Sequence, residues 1–198
     1  MRTRSAFSST MAIPFLALFL TIGSSLSGFA FDKNETIDAT AQGTSTQLGR
    51  IGTIRLIIYS YSTPEDKKVL DDAFMKGQNQ GLVKALEDMK AVGRIQIPGT
   101  LGYDVSYIIS IKTPTGRKVR FVTNRKISFG EAYRNSQSQA FNLSGGEFNI
   151  NEQDKNKSGG VLYPAAQLVI NKDGDLQIEL RKNPWKLTNV IIYPKDKE

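Results

Sequence analysis

From Ile51 the chain alternates: Ile54, Leu56 and Ile58 stand between Thr53, Arg55, Ile57 and Tyr59, an apolar, β-branched run that predicts a well-buried first strand. At Thr63-Pro64-Glu65-Asp66 the period changes. A hydroxyl for the cap, proline at the first helical position and acids in the first turn predict a helix start. Val69, Leu70, Ala73 and Phe74 then give one apolar face, and Leu82, Ala85, Leu86 and Met89 a second. Gly77 and Gly81 lie between them, each costing about 1 kcal/mol relative to alanine, so the spacing predicts one interrupted helical region over residues 64–91.

Alternation resumes from Tyr103 to Lys112, with Val105, Tyr107, Ile109 and Ile111 on the expected core face. A three-residue connection at 114–116 sets Ile111 opposite Val119 and Ile109 opposite Phe121, keeping apolar partners together, whereas a four-residue connection would set Ser110 opposite Val119. The same reasoning over Lys172-Asp173-Gly174 aligns Ile170 with Leu176, Leu168 with Ile178 and Ala166 with Leu180. Ser128 to Glu131 reads as a capping box opening a short helix. Residues 147–152 and 160–163 flank a polar turn, and Trp185, in the break before a last strand from Leu187 to Tyr193, is expected to cap a core. One helical region followed by many strands predicts an α+β fold, a single domain over residues 50–194 with a mainly antiparallel β-sheet. Residues 31–49 are polar, with little to bury after Phe31, and read as a flexible leader; residues 195–198 read as a charged tail.

The amino terminus follows a different pattern. Arg2 and Arg4 precede an apolar run from Ile13 to Ile22, ten residues where a membrane-spanning helix needs about 20. Gly28 and Ala30 supply the small residues of a cleavage site ahead of Phe31. Residues 1–30 therefore predict a secretory signal peptide, an exported mature chain in the periplasm or outside the cell, and no integral membrane span after cleavage.

The chain has no cysteine and no histidine. This excludes disulfides, a lipid-modified cysteine, serine-histidine-acid triads, histidine-based zinc sites and imidazole acid-base catalysis. The Asn171-Lys172-Asp173-Gly174 cluster lacks the ligand spacing of a calcium loop. No cofactor or metal site is expected. Asp104, Glu131, Glu147, Asp154 and Asp173 remain as candidate carboxylates for hydrolysis of an envelope polysaccharide, with no spacing that pairs any two.

Gly99-Thr100-Leu101-Gly102-Tyr103-Asp104, the run from Phe121 to Ala132 and Leu187-Thr188-Asn189-Val190 together resemble an uncharacterised group of small, signal-peptide-bearing bacterial proteins. The resemblance spans roughly Ile51 to Tyr193. It implies one domain and a bacterial envelope address, and it assigns no activity or site.

Charge supplies the remaining lead. The chain carries +7, of which +6 falls between Lys112 and Arg134, where Lys112, Arg117, Lys118, Arg120, Arg125, Lys126 and Arg134 stand against Glu131 alone. In the expected register Lys112 faces Lys118, an opposition that an anionic partner would relieve. These seven cations are the candidate anion-binding residues of a non-catalytic binding or interaction module. Its partner would be an anionic polymer, a lipid headgroup or an acidic envelope protein. The same region also suits a lysine-protected sheet edge, and two other functions stay open: the carboxylate-dependent hydrolase, and a structural subunit docking to an envelope protein by a sheet edge.

Overall fold

A computed structural model describes residues 34–125, 127, 141–170, 172, 176–180 and 183–194, all within the unit Asp32–Glu198. The signal-peptide segment, the Ser128 capping box, the 172–174 loop as a whole and the charged tail lie outside the described residues. The strands are β1 (Glu35–Gln42), β2 (Ile51–Ile58), β3 (Gly93–Gln96), β4 (Tyr103–Val105), β5 (Tyr107–Thr113), β6 (Gly116–Thr123), β7 (Leu143–Asn151), β8 (Gly159–Ile170), β9 (Leu176–Leu180) and β10 (Trp185–Tyr193), with one helix, α1 (Pro64–Asp88). Every described ladder is antiparallel. The α+β class and the antiparallel sheet are as expected.

The strand order is β4-β3-β2-β1-β10-β8-β7-β6-β5, with β9 attached to β8. β4 and β5 end that order on opposite sides, yet only Ser106 separates them in the chain, so the sheet comes round on itself into a nearly closed barrel. Across this seam Thr123 Oγ1 donates to the carbonyl of Asp104 at 2.8 Å. Alternate residues fill the interior: Ile37, Ala39 and Ala41 of β1, Ile54, Leu56 and Ile58 of β2, Val119 and Phe121 of β6, Phe148 and Ile150 of β7, and Trp185 and Leu187 of β10. Phe121 sits opposite Gly146, and an added Cβ there would lie 2.8 Å from the Phe121 ring, so the missing side chain is what admits the ring. Trp185 is in the core, as expected.

Thr63 and Asp66 form a reciprocal cap at the start of α1. Within α1, Gln78 leaves helical geometry with φ 48° and ψ −139°, which is the interruption that Gly77 and Gly81 predicted. The bend folds the helix back so closely that a Cβ on Gly81 would lie 2.3 Å from the carbonyl oxygen of Ala73. Leu70, Leu82, Val83 and Leu86 pack with Leu143, Tyr107, Val122 and Leu168 in a second cluster, separate from the barrel interior. Asn79, beside the bend, accepts from the Leu168 amide at 2.9 Å and donates to Asn142 at 3.1 Å. Beyond the start of β7, the helix thus satisfies the edge of β8 that no described strand pairs.

Three expectations need correction. Residues 31–49 are not simply a leader: they contain β1, whose Glu35, Ile37, Ala39 and Ala41 are all buried between β2 and β10. The polar composition misled because, apart from Ile37, the residues facing inward are small or charged rather than large and apolar. The 103–112 strand is two strands, since Ser106 inserts one residue and shifts the phase, leaving Val105 and Ile108 inside while Ile111 is 38% exposed. The hairpin register follows that shift. Lys112 pairs with Arg117, Ile111 with Lys118 and Ser110 with Val119, the register that apolar matching had disfavoured. The second hairpin has the expected register, with Ala166 opposite Leu180, Leu168 opposite Ile178 and Ile170 opposite Leu176.

Candidate functional site

Because side chains alternate across β6, its cations part company. Arg117 has the parity of Val119 and Phe121 and turns inward, where it pairs with Glu35 and donates to the Tyr61 hydroxyl at 2.7 Å. Tyr61 in turn donates to Glu35 at 2.7 Å. Burial, and next the hydrogen bond to Glu35, push the Tyr61 hydroxyl up to about 12. Burial acts to lower the Arg117 pKa, but its bonds to Glu35 and Tyr61 outweigh that and hold it above its ordinary value. Glu152 lies 3.8 Å from Arg117 Nε. These four residues gather at the barrel end formed by the start of β1 and the ends of β2 and β7.

Lys118 and Arg120 take the opposite face. Both reach Glu147 on β7, Lys118 at 3.1 Å and Arg120 at 2.6 Å. Burial alone would raise the Glu147 pKa, but the bonds from Arg120 and Lys118 outweigh it and hold the carboxyl below its usual range. Two cations thus share one carboxylate. Lys112 does not join them: it sits opposite Arg117 by the turn, and exposed Arg125 lines a separate cleft with Arg94, Tyr103 and Asp104. Lys126 and Arg134 lie outside the described residues. Of the seven expected cations, the structure brings together Lys118 and Arg120 and withdraws Arg117.

Beside this pair runs an outer groove of about 430 Å³, lined chiefly by Val122, Leu143, Val161, Tyr163, Leu168 and Ile178, with Arg120 and Glu147 also on its wall. Its geometry follows from register. Val122, Gly145 and Tyr163 form one cross-strand row and Arg120, Glu147 and Val161 the next, so Gly145 leaves a hollow between two larger neighbours. A volume of this size is typical of small-ligand sites, which are mostly apolar with a few placed polar groups. The far wall is the β8–β9 hairpin, where Ile170, Ile178 and Leu180 are 43%, 56% and 37% exposed.

The candidate carboxylates are held by other partners. Asp104 is bridged by Arg94 at 2.7 Å, Glu147 by Lys118 and Arg120, and Asp154 accepts from the Asn156 amide at 3.1 Å and lies 3.5 Å from Lys157 Nζ. Glu131 and Asp173 lie outside the described residues. Among the described residues no three acidic side chains gather as a metal site would require. Sequence reasoning missed Glu35 and Tyr61 altogether; the signal was the alternation of Glu35 with Ile37, Ala39 and Ala41, hidden in a segment poor in large apolar residues. The groove was not legible either, since it depends on which residues share a row across three strands. No family model, no curated protein and no solved structure matches this chain.

Proposed function

We propose that this chain is a single-domain, non-catalytic, exported binding module. Its contact surface is the outer groove, and its partner presents an anionic group to Lys118 and Arg120 with an apolar portion along Val161, Tyr163 and Ile178. The observation that carries this reading is the pair of cations sharing Glu147, of which Arg120 and the carboxylate itself line the groove. One carboxylate leaves a surplus positive charge there, and a groove lined mainly by apolar side chains adjoins it. Export rests on Arg2, Arg4, the short apolar run and the small residues before Phe31.

Two measurements test the reading. Residues 31–198 are compared with a Lys118→Glu/Arg120→Glu variant on a sulfated matrix and with a fluorescent long-chain carboxylate. The unaltered protein should elute at higher salt and bind the probe roughly tenfold or more tightly. Equal retention and equal binding would overturn the anion contact. For export, amino-terminal sequencing of the released protein should begin at Phe31, and recovery only of a cell-retained chain starting at Met1 would refute it.

A second reading is favoured by β9, whose outer edge is paired by no described strand. In that reading the module docks to its partner by adding a strand to this edge.

A further inference from the structure

A nearly closed barrel removes sheet edges, because each strand finds a neighbour on both sides. Among the described strands β9 departs from this rule. β9 lies off the closed path and pairs only with β8. It also lacks the usual protection: its described residues, Leu176-Gln177-Ile178-Glu179-Leu180, include no proline and no lysine, and Glu179 is turned aside by a hydrogen bond from Gln167 at 2.5 Å. On the opposite face stand Ile178 and Leu180, both exposed.

We propose that the partner of this edge is a second copy of the same chain, the two β9 strands pairing antiparallel about a two-fold axis through Ile178. This rests on the edge-docking reading. The argument is one of self-complementarity. In that register Leu176 stands opposite Leu180, Gln177 opposite Glu179 and Ile178 opposite itself, so the apolar positions share one face and no like charges meet. A shift of one residue breaks the match of faces. A shift of two shortens the ladder from five residues to three, and one such shift sets Glu179 against its own copy. The pairing is isologous, the commonest form of oligomer symmetry, and it joins the two exposed hairpin faces into one continuous apolar surface.

The test combines oligomeric state with amide exchange on residues 31–198. The expected result is a dimer at micromolar concentration, with β9 amides protected only as concentration rises. Ile178→Lys and Ile178→Glu should each weaken self-association roughly tenfold or more, and an equimolar mixture of the two should restore a dimer, because Ile178 faces its own copy. Ile178 is 56% exposed, so both variants should keep the barrel. A monomer with unprotected β9 amides would overturn self-pairing and leave the edge open for another protein. A monomer with protected β9 amides would overturn both, since the edge would then be covered by its own chain. A dimer that both variants retain, or that the mixture fails to restore, would overturn the register.

Discussion

Glu35, Tyr61 and Arg117 close one end of the barrel with a hydrogen-bonded ion pair in place of apolar bulk. Removing one member of such a network leaves the others unsatisfied, which is where its energetic weight lies. Tyr61→Phe should lower stability by about 1–3 kcal/mol in urea unfolding, while the Glu35–Arg117 pair persists. The pH dependence has a definite sign. The Tyr61 pKa is raised in the fold to about 12, so the neutral hydroxyl is the stabilised form. Its contribution is fully present below the unfolded value of about 10 and is lost as pH rises through 12. Unfolding midpoints measured between pH 9 and 12 should therefore fall more steeply in the unaltered protein than in Tyr61→Phe. Glu147 behaves in the opposite sense: its lowered pKa makes its contribution present above the ordinary carboxylate range and lost as pH falls below it. Neither role could be read from the local sequence, because Arg117 and Lys118 are adjacent cations and only the parity of β6 sends one inward.

At the scale of elements, two glycines of α1 make a matched experiment. Gly77 has nothing within 4 Å of an added Cβ, whereas at Gly81 that atom would lie 2.3 Å from the Ala73 carbonyl oxygen. Gly77→Ala should stabilise by up to about 1 kcal/mol through helix propensity. Gly81→Ala should destabilise by about 1–3 kcal/mol by forcing the bend open, and thermal unfolding of the two variants separates these outcomes. The helix and its break were legible because Thr63-Pro64-Glu65-Asp66 and the two glycines act locally. The 172–174 hairpin was legible for a related reason: its apolar residues hold one phase from Ala166 to Ile170 and from Leu176 to Leu180. The 114–116 hairpin was not, since Ser106 resets the phase upstream and makes Ile108, rather than Ile109, the inward residue. Apolar residues on the outer face, such as Tyr107, are then buried by α1 instead of by the barrel, a distinction that alternation alone does not carry.

For the whole molecule, the decisive ladder joins the ends of the described chain: Thr36 pairs with Tyr193 and Gln42 with Lys186. A segment that composition assigns to a leader is thus a stave of the barrel. Removing residues 31–49 should abolish cooperative unfolding by circular dichroism, where a true leader would be dispensable. The sequence showed strands and a helix; it did not show closure, because closure depends on contacts between its most distant parts. That closure also bears on time. A barrel whose first strand waits for its last cannot shut while the chain is still emerging, and such distant pairings form slowly. Under the export proposed above, the delay would keep the chain threadable until β10 has been made.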